Sequence, residues 1–117
     1  MTDNQKMADL LFPQALKSTE DYEKMYPERN LPEGAVVSRF APSPTGFIHI
    51  GGLFGSIVDR KLAKQSNGIF ILRIEDTDQK REIENGVTGI VNSLQDFDMG
   101  PDEGQINDTE ELGIYGP

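Results

Sequence analysis

A proline-rich turn, one histidine and two glycines follow one another within residues 39–52, whose sequence is RFAPSPTGFIHIGG. The prolines fix the backbone of the turn, and Gly46 relieves steric strain there. A rigid turn that opens onto a helix places backbone amides and the His49 imidazole where nucleotide phosphates can reach them. The imidazole can then donate a hydrogen bond as negative charge builds in a transition state. Gly51 lets a flat base or ribose approach the helix closely.

Charged residues stand where two predicted strands end. Arg39 lies at the end of the first strand, and Glu75 follows the second. Ligands of open α/β sheets bind at the carboxyl ends of strands. An arginine in that position can hold a carboxylate through two parallel hydrogen bonds, although a surface salt bridge is the plainer alternative. Both residues are therefore candidates for a binding site.

Strand and helix patterns explain how these residues are positioned. Residues 35–40 are β-branched and bounded by turn residues, which predicts a strand. Apolar residues recur at helical spacing over 50–62, and the Asn-Gly pair at 67–68 ends that helix. Residues 69–74 are almost continuously apolar, as expected for a parallel strand covered on both faces. Together they predict one right-handed βαβ unit of an α/β fold.

The segment before this unit reads as a helical extension. Residues 7–12 predict a short helix stopped by Pro13, and residues 18–21 (STED) have the form of a capped helix start. We expect an N-terminal extension over 1–34, packed on the outside of a domain that occupies 35–117.

A second amphipathic helix is predicted over 83–97 and is broken by a Met-Gly-Pro sequence at 99–101. We assign the apolar stripes of both long helices to the core. Residues 102–117 are rich in glycine and acids and show no clear period. The expected sheet is thus a parallel pair, whose unpaired edges favour self-association.

Composition limits the class of protein. The 117 residues contain 11 Lys plus Arg and 20 Asp plus Glu, for a net charge of -9. A chain of that length forms one domain at most, and its acidity disfavours strong binding of RNA by this segment alone. The chain has no cysteine and one histidine, too few ligands for a zinc site. It has no long apolar run and no signal-type N-terminus, so we expect a soluble cytoplasmic protein without membrane contact.

Two motifs resemble the signatures of one enzyme family. Residues 39–52 resemble the signature of bacterial-type glutamyl-tRNA synthetases, which are class I aminoacyl-tRNA synthetases, and residues 73–78 (RIEDTD) resemble the family's second fingerprint. Residues 102–104 and 115–117 resemble a later family segment, and 1–34 resembles the N-terminal segment of some clostridial members. The resemblance implies the first βαβ portion of a Rossmann-like nucleotide-binding fold. The chain would be an N-terminal fragment of the catalytic domain.

The resemblance also implies a reaction and a set of site residues. Glutamate is activated by ATP to glutamyl-adenylate and then transferred to the 3′ end of tRNA(Glu). Family members often carry His where Gly52 stands, but glycine is common in the glutamate-specific branch. The implied roles are catalytic for His49, Gly51 and Gly52; glutamate-binding for Arg39, Ala41, Ser43 and Glu75; and ATP-binding for Thr45, Gly46, His49 and Gly51.

For metals, the acids after the second strand could bind a divalent cation, but Mg²⁺ in this chemistry travels mainly with ATP, so we expect no metal site in the protein and no zinc. The family's second half of the nucleotide-binding fold, its Lys-Met-Ser-Lys-Ser-type loop and its anticodon-reading domains lie outside the chain. We therefore expect little or no aminoacylation by this polypeptide alone.

Three alternatives remain open from the sequence. The chain is a non-catalytic fragment that binds ATP or glutamate, or it comes from a glutamyl-queuosine-type paralogue that modifies a tRNA base. Those paralogues share much of the turn but usually carry zinc-binding cysteines further along. A glutaminyl enzyme is disfavoured, because such relatives usually have Glu-Pro-Asn where residues 43–45 are Ser-Pro-Thr.

Overall fold

The computed structural model describes residues 1–15, 17–45, 47–76 and 83–115. None of the helices in these ranges combines the length and the apolar character that a membrane span requires. The elements in chain order are α1 (Asp3–Leu11), α2 (Thr19–Met25), β1 (Val37–Phe40), α3 (Ile50–Gln65), β2 (Ile69–Leu72), α4 (Gly86–Asp96), β3 (Glu103–Gln105) and β4 (Glu111–Leu112).

The strands form one mixed sheet of order β1-β2-β3-β4. The β1 and β2 strands are parallel and joined through α3, which confirms the predicted βαβ connection. The β2 and β3 strands are also parallel and joined through α4, whereas β3 and β4 are antiparallel. The expected two-stranded sheet is therefore wrong, because the segment after α4 contributes two further strands.

The pairing of β3 depends on contacts that a sequence pattern does not reveal. Gly104 has a φ of +101° and lies opposite Leu72, where an added Cβ would overlap the Leu72 carbonyl oxygen. Just before β3, the Asp102 N–H donates to the Phe70 carbonyl at 2.8 Å, and the Phe70 N–H donates to the Asp102 carboxylate at 2.8 Å. These contacts hold a short strand that has no periodicity of its own.

The core lies between α4 and the sheet. The apolar stripe of α4 is buried as predicted, and its four buried apolar residues pack with one residue of β2 and one that follows α4. The cluster comprises Leu72, Val87, Ile90, Val91, Leu94 and Met99. Helix α4 begins three residues later than the Ile83 start that we predicted.

The apolar stripe of α3 is mostly exposed, so its assignment to the core is wrong. Helix α3 buries Ser56 and Ala63 and meets β1 through a hydrogen bond from the Ser38 hydroxyl to the Asp59 carbonyl oxygen, at 2.7 Å. Small residues allow close packing on the sheet, which turns the larger ones away from it. The exposed apolar residues are 44–82% accessible and comprise Ile50, Phe54, Ile57, Val58 and Leu62.

The last residues of the N-terminal extension contact the sheet through Arg29. Helices α1 and α2 bury none of their residues, although α2 begins with the predicted capping box of Ser18 and Asp21. The Arg29 guanidinium donates two hydrogen bonds to Glu103 of β3, at 2.7 and 3.2 Å, and lies 3.7 Å from the Tyr115 ring centroid. The radius of gyration, 17.6 Å, exceeds the roughly 13 Å of a compact domain of this length, as expected for protruding helices.

Candidate functional site

A cavity of about 220 Å³ lies where the end of β1, the proline turn and the start of α3 meet. This is the carboxyl end of a parallel strand, where the sequence places the site. The lining residues are Phe40, Pro42, Ser43, Thr45, Phe47, Ile48, His49, Gly52 and Ile90.

His49 caps the start of α3 with its own ring. Its Nδ1 accepts hydrogen bonds from the Gly51 N–H at 3.1 Å and from the Gly52 N–H at 3.4 Å. A nitrogen that accepts carries no proton, so the neutral ring holds its proton on Nε2. Two amides at this helix start are thus engaged by the imidazole, and Nε2–H is the donor that the ring retains for a ligand.

The glycine pair keeps the histidine ring in place. A Cβ on Gly51 would lie 3.0 Å from His49 Cε1, and one on Gly52 would lie 2.9 Å from Ile48 Cγ2. A larger residue at Gly51 would therefore push directly against the capping ring. This steric role stands beside the close ligand approach that the sequence predicts for the same residue.

The turn is fastened to the sheet by main-chain hydrogen bonds. The Phe40 carbonyl accepts from the Arg73 N–H at 2.9 Å, and the Pro42 carbonyl accepts from the Glu75 N–H at 2.9 Å. Parallel pairing therefore continues beyond the assigned strands. Ala41 lies between these two acceptors and is half-buried. The backbone around the cavity is held by the neighbouring strand and not by the loop alone.

Arg39 and Glu75 lie together at the ends of β1 and β2. Arg39 Nη1 is 3.9 Å from Glu75 Oε1, and Arg73 Nε is also 3.9 Å from that oxygen. The Arg39 side chain is 50% exposed and that of Glu75 is 36% exposed. An ion pair this long and this exposed contributes about 0–1 kcal/mol to stability. Both side chains can therefore exchange partners at small cost.

The groups with perturbed pKa values lie outside the cavity lining. A hydrogen bond from the Thr88 hydroxyl lowers the pKa of Asp108, and burial raises the pKa of Asp59. The hydrogen bonds that Arg29 donates to Glu103 raise the pKa of its guanidinium. No group of three or more His, Cys, Asp or Glu residues within the described ranges is arranged to hold a metal ion.

Four of the predicted site residues, Ser43, Thr45, His49 and Gly52, line the cavity. Gly46 lies outside the described residues, as do residues 77–82 with the end of the second fingerprint.

Sequence reasoning missed Phe47 and Ile90. Ile90 was assigned to the core stripe of α4, where it is indeed buried, yet it also closes the cavity. Phe47 is 87% exposed at the cavity, and an aromatic residue directly after a turn glycine was the available signal.

Comparison with known families gives one match over most of the chain. The model described as "tRNA synthetases class I (E and Q), catalytic domain" matches residues 35–116. That range contains the cavity, the turn and the whole sheet.

Curated relatives match nearly the full chain. It is 56% identical to a glutamate–tRNA ligase of Acetivibrio thermocellus, over 98% of this chain and 21% of the relative. It is 50% identical to a glutamate–tRNA ligase of Clostridium perfringens strain 13, over 97% of this chain and 21% of the relative. The chain thus spans about a fifth of the length of the curated relatives it matches.

The solved structures that the chain resembles include enzymes of the same kind. The chain resembles a glutamate tRNA ligase from Elizabethkingia meningosepticum, solved in complex with its amino acid, with a TM-score of 0.62 and 43% identity. That match covers 70% of this chain and 16% of the other. A glutamate-tRNA synthetase from Elizabethkingia anophelis matches with a TM-score of 0.57 and 46% identity, over 59% of this chain and 14% of the other.

Proposed function

Because this chain belongs to the catalytic-domain family of class I tRNA synthetases for glutamate and glutamine, we propose that it supplies part of a site that activates glutamate with ATP for transfer to tRNA. The observation that carries the proposal is the His49 ring, which caps α3 through Nδ1 and lines the cavity. We assign its Nε2–H as the donor to a bound nucleotide. Ser43 and Thr45, which carry hydroxyl groups, line the same cavity. An imidazole donor and two hydroxyls suit the oxygens of a nucleotide.

Activation of glutamate depends more on the positioning of the reactants than on proton transfer. The α-carboxylate of glutamate attacks the α-phosphorus of ATP, a P–O bond forms to that carboxylate, and pyrophosphate leaves with the electron pair of the broken bond. A carboxylate is already a nucleophile, so no base is needed. His49 Nε2–H stabilises negative charge on the phosphate oxygens, and Mg²⁺ that accompanies ATP neutralises further charge. The adenylate then passes its acyl group to the 3′-terminal adenosine of tRNA.

Glutamate recognition falls to the residues at the strand ends. Arg39 binds a substrate carboxylate, and Glu75 binds the α-ammonium group. The 3.9 Å separation of these two side chains is loose enough for an incoming zwitterion to replace their mutual pair. The Ser43 hydroxyl and the backbone at Ala41 complete the contacts on the β1 side.

The chain alone contributes only part of this activity. It spans about a fifth of the length of its relatives. The large apolar side chains on one face of α3 are also exposed, with accessible fractions of 44–82%. Exposed apolar surface of this kind marks a contact site. We propose that this face packs against further catalytic-domain polypeptide, in the cytoplasm, and that residues 1–34 form an accessory segment before the family match at 35–116.

The sheet edge offers a second, weaker association. Strand β1 stands at the end of the strand order, and Val37 on it is 44% exposed. Unpaired strand edges template pairing with another chain. Copies of this polypeptide are therefore expected to associate through β1 at high concentration, and Val37→Lys should shift light-scattering mass toward the monomer.

An amide ¹H–¹⁵N NMR titration tests the site directly. ATP should shift the peaks of Ser43, His49 and Gly51, and a non-hydrolysable glutamyl-adenylate analogue should also shift that of Glu75. Arg39→Ala should keep the ATP response and lose most of the response to the amino-acid portion. A dispersed spectrum that neither ligand changes would rule out the site. An aminoacylation rate near that of a full synthetase would contradict the partial-site proposal.

A further inference from the structure

The start of α4 is capped by a residue far along the chain. Asn85, which precedes the helix, has a φ of 58° and makes no side-chain hydrogen bond to it. Asp108 takes that role: its carboxylate accepts from the Val87 N–H at 3.3 Å and from the Thr88 N–H at 3.0 Å. It also accepts from the Thr88 hydroxyl. One carboxylate thus satisfies two of the helix's unpaired amides and complements its dipole.

The β3–β4 loop presents Asp108 in a fixed position. The side-chain oxygen of Asn107 accepts from the backbone N–H groups of Thr109 and Glu110, each at 2.8 Å. The Ile106 N–H donates to the Glu110 carbonyl at 3.0 Å, which closes the loop. Asp108 lies inside this bonded turn, so the loop's own hydrogen bonds hold its backbone near the start of α4.

The capped helix start is in direct contact with the turn of the nucleotide site. The Pro44 carbonyl oxygen accepts from the Ile83 N–H at 3.1 Å. A Cβ on Gly86, the first residue of α4, would lie 2.7 Å from that same oxygen. Pro44 is buried and stands between Ser43 and Thr45, which line the cavity. A displacement of the α4 start would therefore be passed to both hydroxyl-bearing neighbours.

We propose that Asp108 is a positioning residue for the nucleotide site: by capping α4 it fixes the helix start on which the Pro44 turn rests. Ile90, one turn further along α4, closes the cavity and depends on the same placement. The identity of the ligand rests on the proposed function, whereas the mechanical link from Asp108 to the turn does not.

The first test needs no ligand. Amide spectra are compared for the unchanged chain, Asp108→Ala and a matched control, Asp21→Ala, which removes the cap carboxylate of α2. Asp108→Ala should shift the peaks of Ser43 and Thr45 in addition to those at the α4 start, and the control should leave them in place. Changes that stop at α4 would overturn the proposal. If Asp108→Ala does not give a dispersed spectrum, Asp108→Asn, which keeps one acceptor oxygen, should give the same shifts at smaller size.

The second test measures ATP affinity by titration of the same peaks. Loss of a cap leaves the competent turn only fractionally populated, so Asp108→Ala should bind ATP about 3- to 10-fold more weakly. Asp108→Asn should recover part of this loss, and Asp21→Ala should bind as the unchanged chain does. Equal affinity in all variants would overturn the proposal. If the unchanged chain binds no ATP, the proposed function fails, and the ligand-free comparison still decides the role of Asp108.

Discussion

Replacement of His49 separates its two roles at the start of α3. The ring accepts from two amides, one at 3.1 Å and one at a longer 3.4 Å, and the residue is exposed. Loss of a helix cap costs about 0.5–2 kcal/mol. One good bond and one long bond at an exposed site place His49→Ala at about 1 kcal/mol, or roughly 4 °C in Tm for a domain of this length.

Asparagine supplies a capping oxygen but no donor in the place of Nε2. His49→Asn should therefore keep stability within about 0.5 kcal/mol of the unchanged chain, because Asn is among the preferred caps. Both variants should lose ATP binding, since both lack the imidazole donor.

Thermal unfolding followed by circular dichroism, together with the NMR titration with ATP, measures the two effects on the same samples. An Asn variant as unstable as the Ala variant would refute the cap assignment. An Asn variant that binds ATP normally would refute the donor assignment.

Three further predictions test an ion pair, two glycines and one partly buried carboxylate. The side chains of Arg29 and Glu103 are 23% and 13% exposed, so this ion pair is intermediate between a surface pair and a fully buried pair. Arg29→Ala should therefore lower the free energy of unfolding, measured in urea, by about 2 kcal/mol. A double-mutant cycle with Glu103→Ala should return most of that energy as coupling, and a coupling near zero would contradict the bidentate contact. Gly104→Ala should destabilise by roughly 3 kcal/mol or more, since its φ of +101° and the overlap with β2 both oppose a side chain. Gly89→Ala, in α4 with open space around it, should instead stabilise by about 0.5–1 kcal/mol, and the opposite ranking of the two variants would refute this. Burial raises the pKa of Asp59, because it disfavours the charged carboxylate in the folded chain. The contribution of the protonated carboxyl to the free energy of unfolding is therefore fully present below the unfolded pKa of about 3.9, and it is lost as pH rises through the folded pKa. Asp59→Asn should therefore raise Tm at pH 7 and leave it unchanged near pH 3, and an equal gain at both pH values would contradict burial of the charge.

Sequence patterns correctly predicted the elements whose formation depends on residues close together in the chain. The capped start of α2, the β1–α3–β2 connection and the apolar face of α4 all follow from periodicity and turn residues. Strand β3 was missed because three residues cannot show a period, and its pairing is set by Gly104 against β2. The true start of α4 was missed for a related reason: its cap, Asp108, lies beyond the helix's far end.

The candidate site likewise has features that local sequence predicts and features that depend on long-range contacts. Ser43, Thr45, His49 and Gly52 line the cavity, and a contiguous motif in a rigid turn was enough to predict that. The engagement of the Gly51 amide by His49 was not predictable, because it depends on which way the ring turns at the helix start. The exposure of the α3 stripe was equally hidden, since an apolar period shows that a face seeks a partner and not which partner covers it.

The two parts of the candidate site are held with different strengths, and this difference matches their proposed tasks. The turn is fixed by three main-chain hydrogen bonds of 2.9–3.1 Å that end on the carbonyls of residues 40, 42 and 44. Stabilisation of developing charge requires groups that do not reorganise during the reaction, and a turn fastened in this way meets that requirement. Arg39 and Glu75, by contrast, are joined at 3.9 Å and are substantially exposed. Recognition of a zwitterion requires charges that give up their present partner for about 0–1 kcal/mol, and a tightly buried pair in their place would oppose the substrate. A loose, exposed pair of this kind is therefore suited to the glutamate-binding role that we propose for Arg39 and Glu75.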